Sequence, residues 1–486
     1  MIKTKLKSRG YFLIQVLVFG AVGLMVITGL ISFAVTNALL SRKTVLLEQA
    51  FETAESGIEY YRWHLAHAPS DYTNGTGQAG PYVKNFYDRN NNLIGTYSLD
   101  IIAPPLGSTL VTIKSTGTSA IDATAHRTII AKLAIPSFGN YAVASNSNVT
   151  FGQGTEVFGP IHSNFGISFE GLAHNLITSA VSSYQDSDHT GGPEFGVHTH
   201  VRPPPATGLY TSAVTAEEPP NPVQARPDVF IAGRSFPAPV VNFANITTSL
   251  TQMKTDAQAS GKYIDASGVQ GYKIVLKTNN TFDIYKVNSL VASPNNTCSS
   301  NTNGDANWGT WSVNATTFVA NYPIPANGLV FVNDKLWVEG QINHSRVTIV
   351  AATLPYNSNT SRSITVNNNL LYTNYDGTDV IALIAQEDIN AGMQSLDTLR
   401  IDGALIAQNG RIGRYYYSGC GVYDHRTLLT LYGTLISAQR YGFAYSNGTG
   451  YATRNLIYDG FLLFGPPPSF PTITNYYQII YWKEVI

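Results

Sequence analysis

The sequence predicts a mainly β protein carried on one long N-terminal α-helix, followed by a small antiparallel sheet and a large parallel β-helix with an α/β insertion. Three observations predict it. Residues 11–68 contain no proline and 11–40 no charge. Three segments between 95 and 133 alternate apolar and polar residues. Beyond Gly139, short apolar segments of like sequence recur.

The helix comes first. Lys3, Lys5, Lys7 and Arg9 precede Gly10 with no acidic residue among them. The uncharged run 11–40, at ~1.5 Å per residue, exceeds a hydrocarbon core of ~30 Å. It is too long for a secretory signal, whose apolar region is only ~7–15 residues. Basic residues hold their end of a first span in the cytoplasm, so everything after Leu40 is expected outside, as a single-pass membrane protein with a cytoplasmic N-terminus and an extracytoplasmic or cell-surface head, in a pilus if it joins one. Over 41–68, Leu47, Ala50, Phe51, Ala54, Ile58, Tyr61 and Leu65 recur at steps of three and four, which makes this half amphipathic. Pro69 ends it.

The short basic leader ending in Gly10, the aromatic pair Tyr11-Phe12 and the immediate apolar helix resemble the class III leader of type IV pilins and pseudopilins. The resemblance implies cleavage between Gly10 and Tyr11 by a prepilin peptidase, and a pilin-like helix above a small sheet. In that family the fifth mature residue is usually glutamate, taken to neutralise the neighbouring subunit's terminal amine; here it is Gln15. An amide accepts a hydrogen bond but neutralises no charge, which points to a minor or tip subunit, as in K-type minor pseudopilins. Ala54-Glu-Ser-Gly-Ile-Glu59 resembles the stretch after the membrane helix in PilX-type minor pilins. Asn455-Leu-Ile-Tyr-Asp459 followed by Gly465-Pro-Pro-Pro-Ser-Phe-Pro471 is similar to the close of large PilX-like proteins, without their Tyr-Asp-x-Arg form. The implied partners are a prepilin peptidase, other pilin or pseudopilin subunits and the inner-membrane assembly machinery.

The chain's 486 residues suffice for two or three folded units. Charged residues are 13% of it, against about 25% in typical proteins, with a net charge of −1, so no nucleic-acid partner is indicated. Cys298 and Cys420 lack the spacing of a zinc or thioredoxin motif but are able to form one disulfide outside the cytoplasm.

The expected domains are a leader 1–10, the helix 11–68 (11–40 transmembrane), the small sheet 69–137, a β-helix in 138–181 and 327–486, and an insertion 182–326. In the sheet, Asp88-Arg-Asn-Asn-Asn92 reads as a hairpin turn, since Leu93 stands where a calcium loop needs glycine. In the β-helix, Asn148-Val-Thr-Phe151 is answered by Gly166-Ile-Ser-Phe169, Ala382-Leu-Ile-Ala-Gln386 by Ala404-Leu-Ile-Ala-Gln408, and Gly403-Ala-Leu-Ile-Ala by Gly433-Thr-Leu-Ile-Ser437. Such echoes suit stacked coils. In the insertion, Phe243, Ile246, Leu250, Met253 and Ala257 trace a helix face, and 272–276 with 281–285 read as a hairpin across Asn279-Asn280.

Chemistry is sparse. Asp186, Asp188, His189, His198 and His200 have the residue types of a zinc site, but they lie in a Pro/Gly-rich stretch and are read as solvated, so no metal and no cofactor is assigned. Asp376, Asp379, Glu387, Asp388 and Asp397 are the acids a β-helical glycosidase would need, yet they fall at inferred turns, and no enzyme is expected. The tyrosines from Tyr415 to Tyr451 read as core residues or as a strip for a sugar or partner. The function expected is a filament subunit at or near a tip, displaying its head for assembly initiation or adhesion. The alternatives are an anchored adhesin or sugar-binding protein outside any filament, with a surface or glycan ligand, and an anchored polysaccharide-degrading enzyme.

Overall fold

A computed structural model describes residues 9–104, 108–188, 191–210, 217–292, 298–300, 310–360, 362–463 and 465–485. Most of the expected leader, 1–8, lies outside them. The chain divides into two compact units.

The first unit comprises the chain up to Ala103, Val111–Leu133 and the residues from Tyr477 on. Helix α1 (Arg9–His67) is unbroken, and Pro69 follows its last bond, from Ala68 N to His64 O at 2.8 Å. From Leu46 on, one face is buried through Ala50, Ala54, Ile58, Tyr61 and Leu65, the stripe the periodicity predicts. It rests on an antiparallel sheet of β1 (Tyr82–Tyr87), β2 (Leu93–Ile102), β3 (Val111–Ser119) and β4 (His126–Ala134). Asp88–Asn92 makes the turn between β1 and β2, with the Asp88 carboxylate accepting from the Asn90 and Asn92 N–H groups. Tyr97, Leu99, Val111, Ile113, Ile129, Ala131 and Leu133 alternate toward the helix. Small residues set the approach. A Cβ on Gly117 would lie 2.1 Å from Ala50 O and 2.4 Å from Ala54 N, so only glycine lets β3 lie this close to α1.

The fifth strand of this sheet is Gln478–Val485, beside β4. Arg127 pairs with Glu484 at 2.6 Å, and Trp482 meets Phe51 of α1 edge-on at 5.9 Å. This corrects the expected boundary, which ran the β-helix to 486. The strand Gln-Ile-Ile-Tyr-Trp-Lys-Glu-Val has high β propensity but names no partner sheet; it covers the edge β4 would otherwise leave open.

The second unit, Pro104–Leu110 and Ala134–Tyr476, is a stack of parallel coils. One ladder runs Val330, Ile349, Leu383, Leu405, Leu435, Val143, Ile161, Ile177, each paired in register with the next and all in one core cluster. The neighbouring ladder Phe331, Val350, Ile384, Ile406, Ile436, Ala144 faces the other way and is equally buried, which explains the unbroken apolar runs of these strands. The predicted echoes are register partners: Val149 with Ile167, Phe151 with Phe169, Ala382 with Ala404, and Gly403 with Gly433.

The order of coils differs from the order of the chain. The chain comes in at Val143–Ser145, in the middle of the ladder, and coils through Ile161–Ser163 and Ile177–Ser179 to Arg234–Ser235. Helix α2 (Ala244–Ala259) then lays Ile246, Leu250, Met253 and Ala257 on the second ladder and delivers the chain to Lys262–Ile264 at the opposite end. At ~1.5 Å per residue it covers about 24 Å, or five coil spacings of ~4.8 Å. From there the coils return until Leu435–Ser437 pairs with Val143–Ser145. The stretch 182–326 is therefore not a separate subdomain. Val197–His198 stacks on Ile167–Phe169, Lys262–Ile264 on Leu329–Val332 and Gly271–Leu276 on Leu336–Gln341. Val197–His198 and Lys262–Ile264, two and three residues long, have no echo elsewhere in the chain that would announce a coil. The hairpin across Asn279-Asn280 forms, with Asn280 at φ 60°, and gains a third antiparallel strand, Val313–Pro323.

Candidate functional site

The first candidate is the free half of α1. Tyr11 is 79% exposed, Phe19 74% and Met25 75%, and this half is long and apolar enough to cross a membrane. Gly10 falls in its first turn, so a cut between Gly10 and Tyr11 leaves the helix almost whole. Thr28 and Thr44 quench their hydroxyls on Leu24 O and Leu40 O, 2.7 and 3.0 Å away. Gln15 stands exposed four residues after Tyr11, a side chain with two donors and an acceptor on a mostly apolar surface whose other exposed amide is Asn37. Placed in hydrocarbon, the Gln15 amide needs a partner from another chain or from the headgroups.

In the second unit Cys298 and Cys420 are joined as a disulfide with their Cα atoms 4.4 Å apart. They close a cluster of Trp311, Trp337, Met393, Tyr415 and Tyr417. Arg414, fully buried, donates to Ser395 Oγ at 2.8 Å, Met393 O at 2.9 Å, Tyr423 O at 2.6 Å and Gly392 O. Burial brings its guanidinium down to about 10. The tyrosines nearby serve this core. Tyr451 donates to Leu396 O and Tyr445 to Arg414 O, and Tyr441 is buried. They form no strip. Four of the five acids are turn acceptors: Asp379 receives the Ser345, Thr373 and Asn374 N–H groups, Asp388 that of Arg411, Asp376 that of Thr378 and Asp397 that of Thr427.

No protein-family model and no curated protein matches the chain. Among solved structures, the competence-associated pilin ComZ from Thermus thermophilus aligns over 90% of this chain and 98% of its own, at 12% identity and a TM-score of 0.32.

The histidine stretch departs most from expectation. His198 is wholly buried and His200 nearly so, rather than solvated; His189 lies outside the described residues. Asp186, Glu194, His198 and His200 bring their ligand atoms within 4.8 Å of one another, while Asp188 turns away to Arg440 at 2.5 Å. His198 Nε2 lies 2.8 Å from Glu194 Oε2 and 3.3 Å from Asp186 Oδ2; His200 Nε2 lies 3.2 Å from Glu194 Oε1. Burial works against the Glu194 carboxylate, but hydrogen bonds from His198 and His200 outweigh it and hold the group at about 2. Burial likewise disfavours charge on His200, and its bonds to Glu170 and Glu194 push it up to about 10. Sequence reasoning missed Glu194 and Glu170. Glu194, His198 and His200 are separated by even steps, which turn all three to one face of an extended chain, and that spacing was the available signal.

Proposed function

We propose that this chain is a type IV pilin-like or pseudopilin-like subunit, made with a leader that a prepilin peptidase removes after Gly10. The observation that carries the reading is α1: one helix whose first half is uncharged and exposed and whose second half is seated on an antiparallel sheet. In a filament the first half packs against its equivalents in neighbouring subunits, which supply the cover it lacks alone. The coiled β unit is then the displayed part, outside the cytoplasm, and acts in assembly or recognition without a catalytic step. Four of its five candidate acids already serve as acceptors for turn N–H groups.

Gln15 supports a place at or near a tip. A subunit that receives no terminal amine from a following neighbour has no need of a carboxylate there, and an amide avoids an unpaired buried charge. The test is incorporation. In cells carrying a pilus or type II secretion-like assembly system, the protein is expected in the sheared-filament fraction, and Gly10→Ala is expected to keep it in the membrane fraction. Gln15→Glu should leave the head folded and change its number or position along filaments. A protein that stays in the membrane fraction whatever residue 10 is would be an anchored adhesin instead.

A further inference from the structure

We propose that Asp186, Glu194, His198 and His200 form a closed binding site for one divalent transition-metal ion, with Zn²⁺ the ion whose ligand preferences fit best. The set is two imidazole nitrogens and two carboxylates, all buried, with ligand atoms within 4.8 Å of one another. Two ligands each ~2.0–2.1 Å from a tetrahedral ion lie about 3.3–3.4 Å apart. The separations of 3.3 Å from His198 to Asp186 and 3.2 Å from His200 to Glu194 match that edge, while the 2.8 Å contact from His198 to Glu194 is shorter and would open by about 0.5 Å around an ion.

The second ring nitrogens are placed as ligating histidines require. His198 Nδ1 faces Phe195 O at 3.3 Å; a carbonyl only accepts, so Nδ1 carries a hydrogen, and Nε2, once the proton it shares with Glu194 is displaced, is the nitrogen that binds the ion. His200 Nδ1 faces Glu170 Oε1 at 3.3 Å, the carboxylate–histidine arrangement that raises a ligand's basicity. Glu170 is itself held by the Ser168 hydroxyl, and Ser168 is the register partner of His198 in the stack. Inside the cluster, His198 Nε2 and Asp186 Oδ2 are buried and make no aligned hydrogen bond, although they face each other. Two buried carboxylates so placed need positive charge among them, supplied by protons on the rings or by a metal ion that displaces those protons on binding.

The role is structural. All four ligands come from the protein and leave no position for a substrate. Glu194 belongs to the strand Glu194–Phe195, which pairs with Ser183–Tyr184, and His198 to the strand stacked on Ile167–Phe169. The ion therefore ties this loop to the coil beneath it.

The test uses the untagged full-length protein in detergent, stripped with a chelator and dialysed against buffered ZnCl₂, with bound metal read by elemental analysis. About one Zn²⁺ per chain is expected, with visible Co²⁺ bands of a four-coordinate nitrogen–oxygen site on replacement and no uptake of Mg²⁺. His200→Gln, at the less buried rim, is expected to weaken Zn²⁺ at least about tenfold with an unchanged circular-dichroism spectrum. His198→Ala should abolish binding; if it does not fold, His200→Gln and Glu170→Gln decide. Uptake below about a tenth of an equivalent at saturating free Zn²⁺, or equal affinity in the wild type and His200→Gln, overturns the proposal. The cluster would then be an ion-paired histidine network.

Discussion

Ser137 and Thr472 face each other in an antiparallel bridge, flanked by bonds from Phe138 N to Pro471 O at 3.3 Å and from Ile473 N to Pro136 O at 2.8 Å. The two ends of the coiled unit thus run side by side. The stack owes this to its permuted order, in which the last coil returns to the first.

A chain segment with adjacent ends and its own core is a unit that folds by itself. Residues 134–476 expressed alone are expected to be soluble, to show a β-type circular-dichroism spectrum and to melt in one cooperative transition. An aggregated or unfolded product would mean that the coils need the helix-bearing unit to fold.

Gly117 tests the seat of α1. Gly117→Ala forces a methyl against Ala50 O and Ala54 N and is expected to cost about 1–3 kcal/mol, the usual penalty of overpacking. Gly152→Ala, where nothing lies within 4 Å of the added carbon, should stay within about 0.5 kcal/mol. Denaturant unfolding followed by proteolysis of the helix compares the two.

Cys298 and Cys420 are 122 residues apart in sequence. In the chain-entropy model a loop of that order contributes about 4–5 kcal/mol. The double Cys→Ser variant is expected to lose about 2–5 kcal/mol against the oxidised wild type and to be insensitive to reductant. Equal stability in both would show that the bond constrains nothing the core does not.

Asp71 gives the first unit a pH signature. Hydrogen bonds from the Thr73 hydroxyl and Thr73 N, opposed by burial and joined by Gly75 N and His64, lower its carboxyl from 3.8 to about 2. A depressed folded value stabilises the fold above the unfolded value and loses that contribution as pH falls through the folded one. The stability gap between the wild type and Asp71→Asn should therefore be full above pH ~4 and close toward pH ~2. A gap that persists unchanged at low pH would assign the effect to packing.

Periodic features were legible in the sequence. The stripe from Ala50 to Leu65, the alternation of β2 to β4 and the echoed coil strands each repeat often enough to declare a partner face. What stayed hidden depends on contacts between distant, pattern-poor segments. Gln478–Val485 reads as a strand but not as a neighbour of β4. The two residues Val197–His198 read as loop until Ile167–Phe169 lies beneath them, and Glu170 reaches the histidines only through that stacking. The permuted order of the coils leaves no local mark at all, because α2 reads the same wherever it delivers the chain.

A processed pilin-type helix in the 7–40 stretch fixes where the mature chain begins. Its most direct test is the mature N-terminus, read by mass spectrometry after co-expression with a prepilin peptidase. Loss of residues 1–10 and a new terminus at Tyr11 are expected, abolished by Gly10→Ala. A chain that retains residues 1–10 in the presence of active peptidase would contradict it.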